Sequence, residues 1–260
     1  MTLPPAEATR IHARILKCAL ELDECRAYWS RVDDTTPVTV RRAFEEYWFG
    51  ARSTARVEVL LVNMRARFDA YPHALSVLRQ WPGMSPDTRR LICHWHLMLA
   101  DPLYRAFTGE FLPARLESGV DTVTRDVVVA WIGGQIGDAW TMATRIQGAS
   151  KMLSAALTAG VVGTSRDPRP LKVPRVPDEA LEYLLYMLRS VQFAGSLDAN
   201  PYTASVGLTG SFLADRLRTL GSIDYRRQGN LAEWNWHFPD LGAWAAAHPA
   251  INEPGGRNNP

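Results

Sequence analysis

The sequence predicts a mainly α-helical protein: an N-terminal helical bundle over residues 1–118, two winged-helix-like units with short β-hairpins over 119–177 and 178–250, and a flexible tail over 251–260. Three observations lead there. Apolar residues recur at helical spacing from Ala6 to Glu117 with no β alternation between them. Beyond Gly119 the order helix, helix, short ribbon occurs twice, each long helix being stopped by a glycine (Gly160, Gly221). The final EPGGRNNP lacks apolar residues that could dock it.

The elements follow in order. Ile11, Ile15, Leu16, Ala19 and Leu22 are spaced for a first amphipathic helix, and Tyr28 and Trp29 close a short second one. Val40, Phe44, Tyr47 and Trp48 mark a third. Val57, Leu60, Leu61, Met64 and Phe68 mark a fourth, capped by Ser53 or Thr54. Ala74, Leu75, Val77 and Leu78 give a fifth. Ser85-Pro86-Asp87 and Asp101-Pro102 are helix starts, because proline at the first helical position lacks only a donor that would go unpaired anyway. Short linkers between these segments suit a bundle. In the next unit Asp121–Ile132 reads as a helix broken by Gly133-Gly134. Trp140–Ala159 reads as a long helix with Met142, Ile146, Met152, Leu153, Ala156 and Leu157 inward. Val161-Val162 begins a strand, and SRDPRP turns the chain toward Leu171–Val173. In the last unit Asp178–Val191 is a helix. Thr209–Leu220 buries Phe212, Leu213, Leu217 and Leu220, and Ile223, Tyr225, the turn Gln228-Gly229-Asn230, Leu231, Trp234 and Trp236 make a hairpin.

Composition excludes several classes. With 47% hydrophobic and 22% charged residues the chain is an ordinary globular mixture rather than a disordered one. No apolar run approaches the ~20 residues of a membrane span, and MTLPPAEATR has no signal-peptide core. A cytoplasmic protein with no membrane partner is therefore expected. Cys18, Cys25 and Cys93 form no CxxC pair and are odd in number, which fits a reducing compartment. His94 and His96 flank Trp95 and point to different sides of a helix, which does not suit zinc. Nucleophile-elbow, P-loop, zinc-protease and dinucleotide motifs are all missing from the sequence. Gly133–Gly137 follows a helix instead of a strand, and the adjacent acids Asp33-Asp34 and Glu45-Glu46 diverge on a helix. No enzyme activity, cofactor or small-molecule substrate is expected.

Charge placement points to nucleic acid. The net charge is only +2, so a basic footprint must be local. Thr141–Pro177 carries six basic residues (Arg145, Lys151, Arg166, Arg169, Lys172, Arg175) against one acid, Asp167. In the last unit Arg216 and Arg218 lie on the helix and Arg226 and Arg227 on the hairpin. A helix entering a groove beside a basic ribbon on the flanking phosphates is a duplex-binding geometry. The same outline also serves for protein packing in large assemblies. Trp234 and Trp236 share one strand face, which suits a core or stacking against bases.

Three segments resemble the BrxA family, accessory proteins of BREX bacteriophage-exclusion systems. They are FGARSTARVEVLLVNMRARF (Phe49–Phe68), HWHLMLADPLYRAFTGEFLPAR (His94–Arg115) and WTMATRIQGASKMLSAALTAGVV (Trp140–Val162), and the likeness covers roughly residues 10–175. The resemblance implies a NusB-like N-terminal bundle followed by winged-helix elements. It also implies a non-enzymatic accessory protein that binds double-stranded DNA and works with other BREX components. Carried over residue by residue, it implies phosphate contacts from Arg52, Arg56, Arg145, Gln147 and Lys151, with pairing of Arg52 and Arg56 to Glu45 or Glu58 as the alternative. A protein-interaction scaffold and an RNA-binding bundle are the other readings.

Overall fold

The computed structural model describes residues 4–33, 35–229, 231–248 and 251. Asp34, Asn230 of the expected turn, and 252–260 of the expected tail lie outside the described residues. The expected mainly α architecture with short hairpins is found.

The bundle contains α1 (Leu22–Trp29), α2 (Val40–Glu45), α3 (Thr54–Phe68), α4 (Pro72–Arg79), α5 (Pro86–Ala100), α6 (Pro102–Ala106) and α7 (Leu112–Glu117). Its starts are set by the expected caps. Ser53 Oγ accepts from Arg56 N at 3.3 Å, Ser85 Oγ from Thr88 N at 3.1 Å, and Asp101 Oδ1 from Tyr104 N at 3.0 Å. The centre is α5, buried on every side from Leu91 to Ala100 and packed by α1, α3 and α6 and by two later helices, Met142–Ala159 and Asp178–Leu188. A π-helical turn, Phe107–Phe111, links α6 to α7.

The first expected helix is not formed. Only Arg14–Leu16 makes a 3-10 turn, and Ile11 is exposed. The reason is Arg67 on α3, itself 1% exposed. Its guanidinium donates to the carbonyls of Leu20 (2.8 Å), Cys18 (3.1 Å) and Ala19. A helix over residues 11–22 would have tied the Cys18 carbonyl to Leu22 N, which competes with its bond to Arg67.

The first winged-helix-like unit runs β1 (Thr122–Val123), α8 (Arg125–Ile136), α9 (Met142–Ala159) and β2 (Arg169–Pro170). β1 pairs antiparallel with β2, and Val162 bridges Leu171, so the β2 segment lies between the other two. Leu171 N donates to Asp121 O at 2.7 Å and Lys172 N to Val161 O at 3.0 Å, which alternates the two sides. Contrary to expectation, α8 continues through Gly133-Gly134 and ends at Gly137, whose φ is +53°. Packing holds it, since Trp131 lies against Phe107 and Phe111, with ring centres 5.6 and 5.1 Å away, and Ile132 is fully buried.

The second unit runs α10 (Asp178–Leu188), α11 (Pro201–Ala204), α12 (Gly210–Leu217), β3 (Ile223–Gln228), β4 (Leu231–Trp236) and α13 (Leu241–Ala247). Ile223 faces Trp236 and Tyr225 faces Trp234 across the antiparallel hairpin. Both Trp rings are half-buried and stacked on one another, 5.4 Å apart, and the Arg189 guanidinium lies 4.3 Å from the centre of Trp236. They pack the hairpin onto α10. Phe212, expected inside, is 74% exposed.

One hydrophobic core joins these parts from Ile15 to Ile251. Ile251, at the start of the expected flexible tail, is buried. Residues 5–8 are sewn to parts of the chain distant in sequence. Gln192 N donates to Pro5 O at 2.8 Å, Glu7 N to Gln192 O at 2.9 Å, and Ala8 N to Leu99 O at 2.8 Å. Glu7 then accepts from Ala194 N (3.0 Å) and from the Tyr202 hydroxyl, and pairs with Arg105 at 3.4 Å. Among the described residues no helix is long and apolar enough to cross a membrane.

Candidate nucleic-acid interface

Helix α9 is the second helix of the first winged-helix-like unit, following α8 and preceding the β2 ribbon. Thr141 caps it, its Oγ1 accepting from Thr144 N at 3.3 Å, and Gly160 at φ +82° ends it. Its inward stripe is mostly small: Gly148, Ala149, Met152, Leu153, Ala155, Ala156 and Ala159 are buried. Gly148 is needed there, because a Cβ would stand 2.8 Å from the Trp140 ring. The opposite face, Ala143, Ile146, Gln147, Ser150 and Ser154, is exposed, with Met142 at its start and half-buried Lys151 at its edge. Met142 and Ile146, expected inward, are 59% and 41% exposed. The helix contains no Asp or Glu.

The wing, residues 163–168, is exposed throughout and carries Arg166. Its acid, Asp167, is bonded within the fold. Asp167 Oδ2 accepts from the backbone N of Arg125 at 2.8 Å and Oδ1 from Arg169 Nε at 2.6 Å. These bonds, the backbone one foremost, hold its carboxyl below the ordinary range. They also moor the wing to the start of α8.

The candidate residues divide into two groups. Arg56 donates to Lys17 O at 2.8 Å and pairs with Glu21 at 3.0 Å, a partner different from the Glu45 or Glu58 expected. Arg145 donates to Trp140 O at 3.0 Å and Gly137 O at 2.7 Å and lies 3.7 Å from Asp138, closing the corner between α8 and α9. Arg169 is spent on Asp167, Arg216 on Asp178 and Val176 O, and Arg218 on Asp215 at 2.5 Å. The first four are clamps within the fold, against the expectation that their charge faces a ligand, whereas the Arg218–Asp215 pair is an exposed contact three residues apart at the end of α12. Arg52, Arg166, Lys172, Arg175 and Arg226 are exposed and make no side-chain hydrogen bond or ion pair among the described residues. Gln147 and Arg227 are also exposed, Arg227 leaning on Gly229 O at 3.1 Å. On the second hairpin Arg226 stands opposite Glu233 and Asp224 opposite Asn235, so its outer face is mixed in charge and not the basic ribbon expected. In the first unit Lys151, Arg166, Lys172 and Arg175 have no acid paired to them among the described residues, although Lys172 lines a groove with Glu117, and Arg175 a depression with Asp87, Asp178 and Glu179.

A second feature went unforeseen. A groove of about 270 Å³ lies between the units, lined by Leu112, Leu116, Val161, Leu171, Val173 and Phe212. Val173 is 63% exposed. Nothing in the spacing of Phe212 distinguishes it from its buried neighbours Leu213 and Leu217. His94 and His96 are wholly inside, with Tyr104 and Ser205 on one ring and Tyr183 and Arg67 O on the other.

No family model matches the chain, and no curated protein matches it. Among solved structures, it is similar to the crystal structure of an uncharacterized protein from Magnetospirillum magneticum, with a TM-score of 0.55 and 19% identity over 70% of this chain and 98% of that one. At that identity the likeness concerns the fold.

Proposed function

We propose that this chain is a cytoplasmic, non-enzymatic DNA-binding accessory component of a BREX-type phage-defence system, and that it holds duplex DNA on its first winged-helix-like unit. The observation that carries the DNA reading is the exposed face of α9, free of acids, in a unit whose wing carries the exposed Arg166 and whose next residues include the exposed Lys172. A polyanion is attracted to such a surface, while Asp167, the acid in the wing, is already bonded to Arg125 N and Arg169. The three BrxA-like segments support the assignment to phage defence, and two of them, His94–Arg115 and Trp140–Val162, build the central helix and α9.

A gel-shift series with duplex DNA, single strands and structured RNA tests the reading. With three or four phosphates contacted, log K should fall with log salt at a slope of about 3. Arg166→Glu with Lys172→Glu should abolish binding at moderate salt, whereas Arg226→Glu should change it little. Undiminished affinity in the double variant would remove this unit from the interface. A gene neighbourhood with a DNA methyltransferase, a large ATPase and an alkaline-phosphatase-like gene would support the BREX assignment. The groove holding Phe212 and Val173 favours a second reading, a scaffold that docks a partner protein; in that case no duplex shift appears even at low salt.

A further inference from the structure

We propose that α9 selects adenine–thymine pairs in the major groove, with Gln147 as its specificity-determining residue and Ala143 and Ile146 seated against thymine methyl groups. This rests on duplex binding by the first winged-helix-like unit and goes further by naming the bases it prefers.

The inference comes from what the exposed face offers and what it withholds. Four base pairs are distinguishable in the major groove by their donors, acceptors and one methyl group. Guanine is read by a bidentate arginine or by lysine, cytosine by an acidic acceptor, adenine by a carboxamide, and thymine by apolar contact. The helix has one arginine, Arg145, and the fold takes it away. Its guanidinium is committed to Trp140 O and Gly137 O, and its side chain is 19% exposed. Gly133 opposite has no side chain, and a Cβ there would stand 3.0 Å from that guanidinium, so the corner is shaped to keep it. No Asp or Glu exists on α9 to accept from cytosine. Ser150 does not remain as a general reader either, because its hydroxyl donates to Ile146 O at 2.9 Å.

What the face does present is Gln147 at its centre, with Ala143 one turn before and Ile146 beside it, 41% exposed. A carboxamide donates to N7 and accepts from the N6 amino group of adenine. Apolar side chains next to it match the C5 methyl, which thymine alone carries. Lys151, one turn after Gln147, lies half-buried at the rim of the face. From that rim it reaches backbone phosphate, which fixes register without choosing a sequence.

The test uses the full chain and fluorescence anisotropy. Selection from a randomised duplex pool should enrich a site with adjacent A·T pairs. In that site, replacing thymine by uracil removes only the methyl group and should weaken wild-type binding severalfold, while Ile146→Ser should be indifferent to it. Replacing adenine by 7-deazaadenine should cost about tenfold in the wild type and nothing in Gln147→Ala. Gln147→Arg should move the preference toward guanine. Both substituted positions, Ile146 and Gln147, are at the surface, and circular dichroism would verify that the variants fold. Tight duplex binding with no base preference, or a selected site rich in G·C pairs, would overturn the selectivity while leaving duplex binding intact. Absence of duplex binding at low salt would sink both.

Discussion

Arg67 shows how a single side chain decides local structure. It is fully buried, and the groups around it are three backbone carbonyls and the sulfurs of Cys18 (3.6 Å) and Cys25 (3.7 Å). Burial raises the Cys18 thiol to about 11, against the pull of Arg67. Burial also opposes ionisation of Cys25, yet the Cys93 thiol and the Arg67 charge together bring it below its ordinary value. Arg67→Met would leave the carbonyls of residues 18–20 without donors and should cost about 3 kcal/mol or more in urea unfolding. Two neighbouring rings set the acid limit. His96 Nδ1 faces the carbonyl of Arg67 at 2.9 Å, so that nitrogen carries the proton and Nε2 accepts from Tyr183 at 2.8 Å. Burial holds His94 at about 3 and His96 at about 4, against 6.5 in an unfolded chain. Their stabilising effect is complete above pH 6.5 and is lost as pH falls toward 4 and then 3, because only the unfolded chain takes up the protons there. Each ring should withdraw about 1.4 kcal/mol per pH unit well below 6.5, while the raised carboxyl of Asp101, also buried, works in the opposite sense. Melting curves against pH should be less steep in His96→Gln, which retains a donor and an acceptor. At this scale the sequence was least informative. Counting arginines gave the surplus of Thr141–Pro177, but Arg145 and Arg169 spend their charge on carbonyls and an acid that only folding brings near.

Helices were largely legible, and the failures have physical reasons. The starts of α3, α5 and α6 were visible because capping is local chemistry: Ser53, Ser85 and Asp101 bond donors three residues on. The stretch Ile11–Leu22 misled because helical spacing of apolar residues also serves an irregular segment that buries Ile15, Cys18 and Leu20. Gly133-Gly134 misled because tertiary packing around Trp131 overrides the low helix propensity of glycine. Gly109 was not singled out at all, yet the π-helical turn depends on it. A Cβ there would meet the side chain of Pro201 at 2.5 Å and its carbonyl at 2.6 Å, where α11 begins. Since backbone is what it meets, Gly109→Ala should destabilise by about 1–3 kcal/mol, read as a lowered denaturation midpoint. Thr141→Ala removes the cap of α9 and should cost about 1 kcal/mol, and on the proposed function duplex affinity should fall in parallel as the helix frays.

For the molecule as a whole, the change of pattern at Gly119 and Pro177 suggested cuts at residues 118 and 177. Across those cuts the core runs without interruption, and α10 packs on α5. The pairing of Pro5–Glu7 with Gln192 had no counterpart in the sequence, since a two-residue ribbon has no periodicity to detect. Removing residues 1–8 should leave Arg105 and the Tyr202 hydroxyl without the buried carboxylate of Glu7 and lower the melting temperature by several degrees, in a single cooperative transition. That seam also bears on how the protein comes into being. Glu7 leaves the ribosome well before Ala194 and Tyr202, which complete its shell and are synthesised 187 and 195 residues later. At about 5–20 residues per second the nascent chain holds this acid without them for roughly 10–40 s. The final stitch is therefore a late, long-range step, and a translating cell has that whole interval in which chaperones meet the unfinished edge.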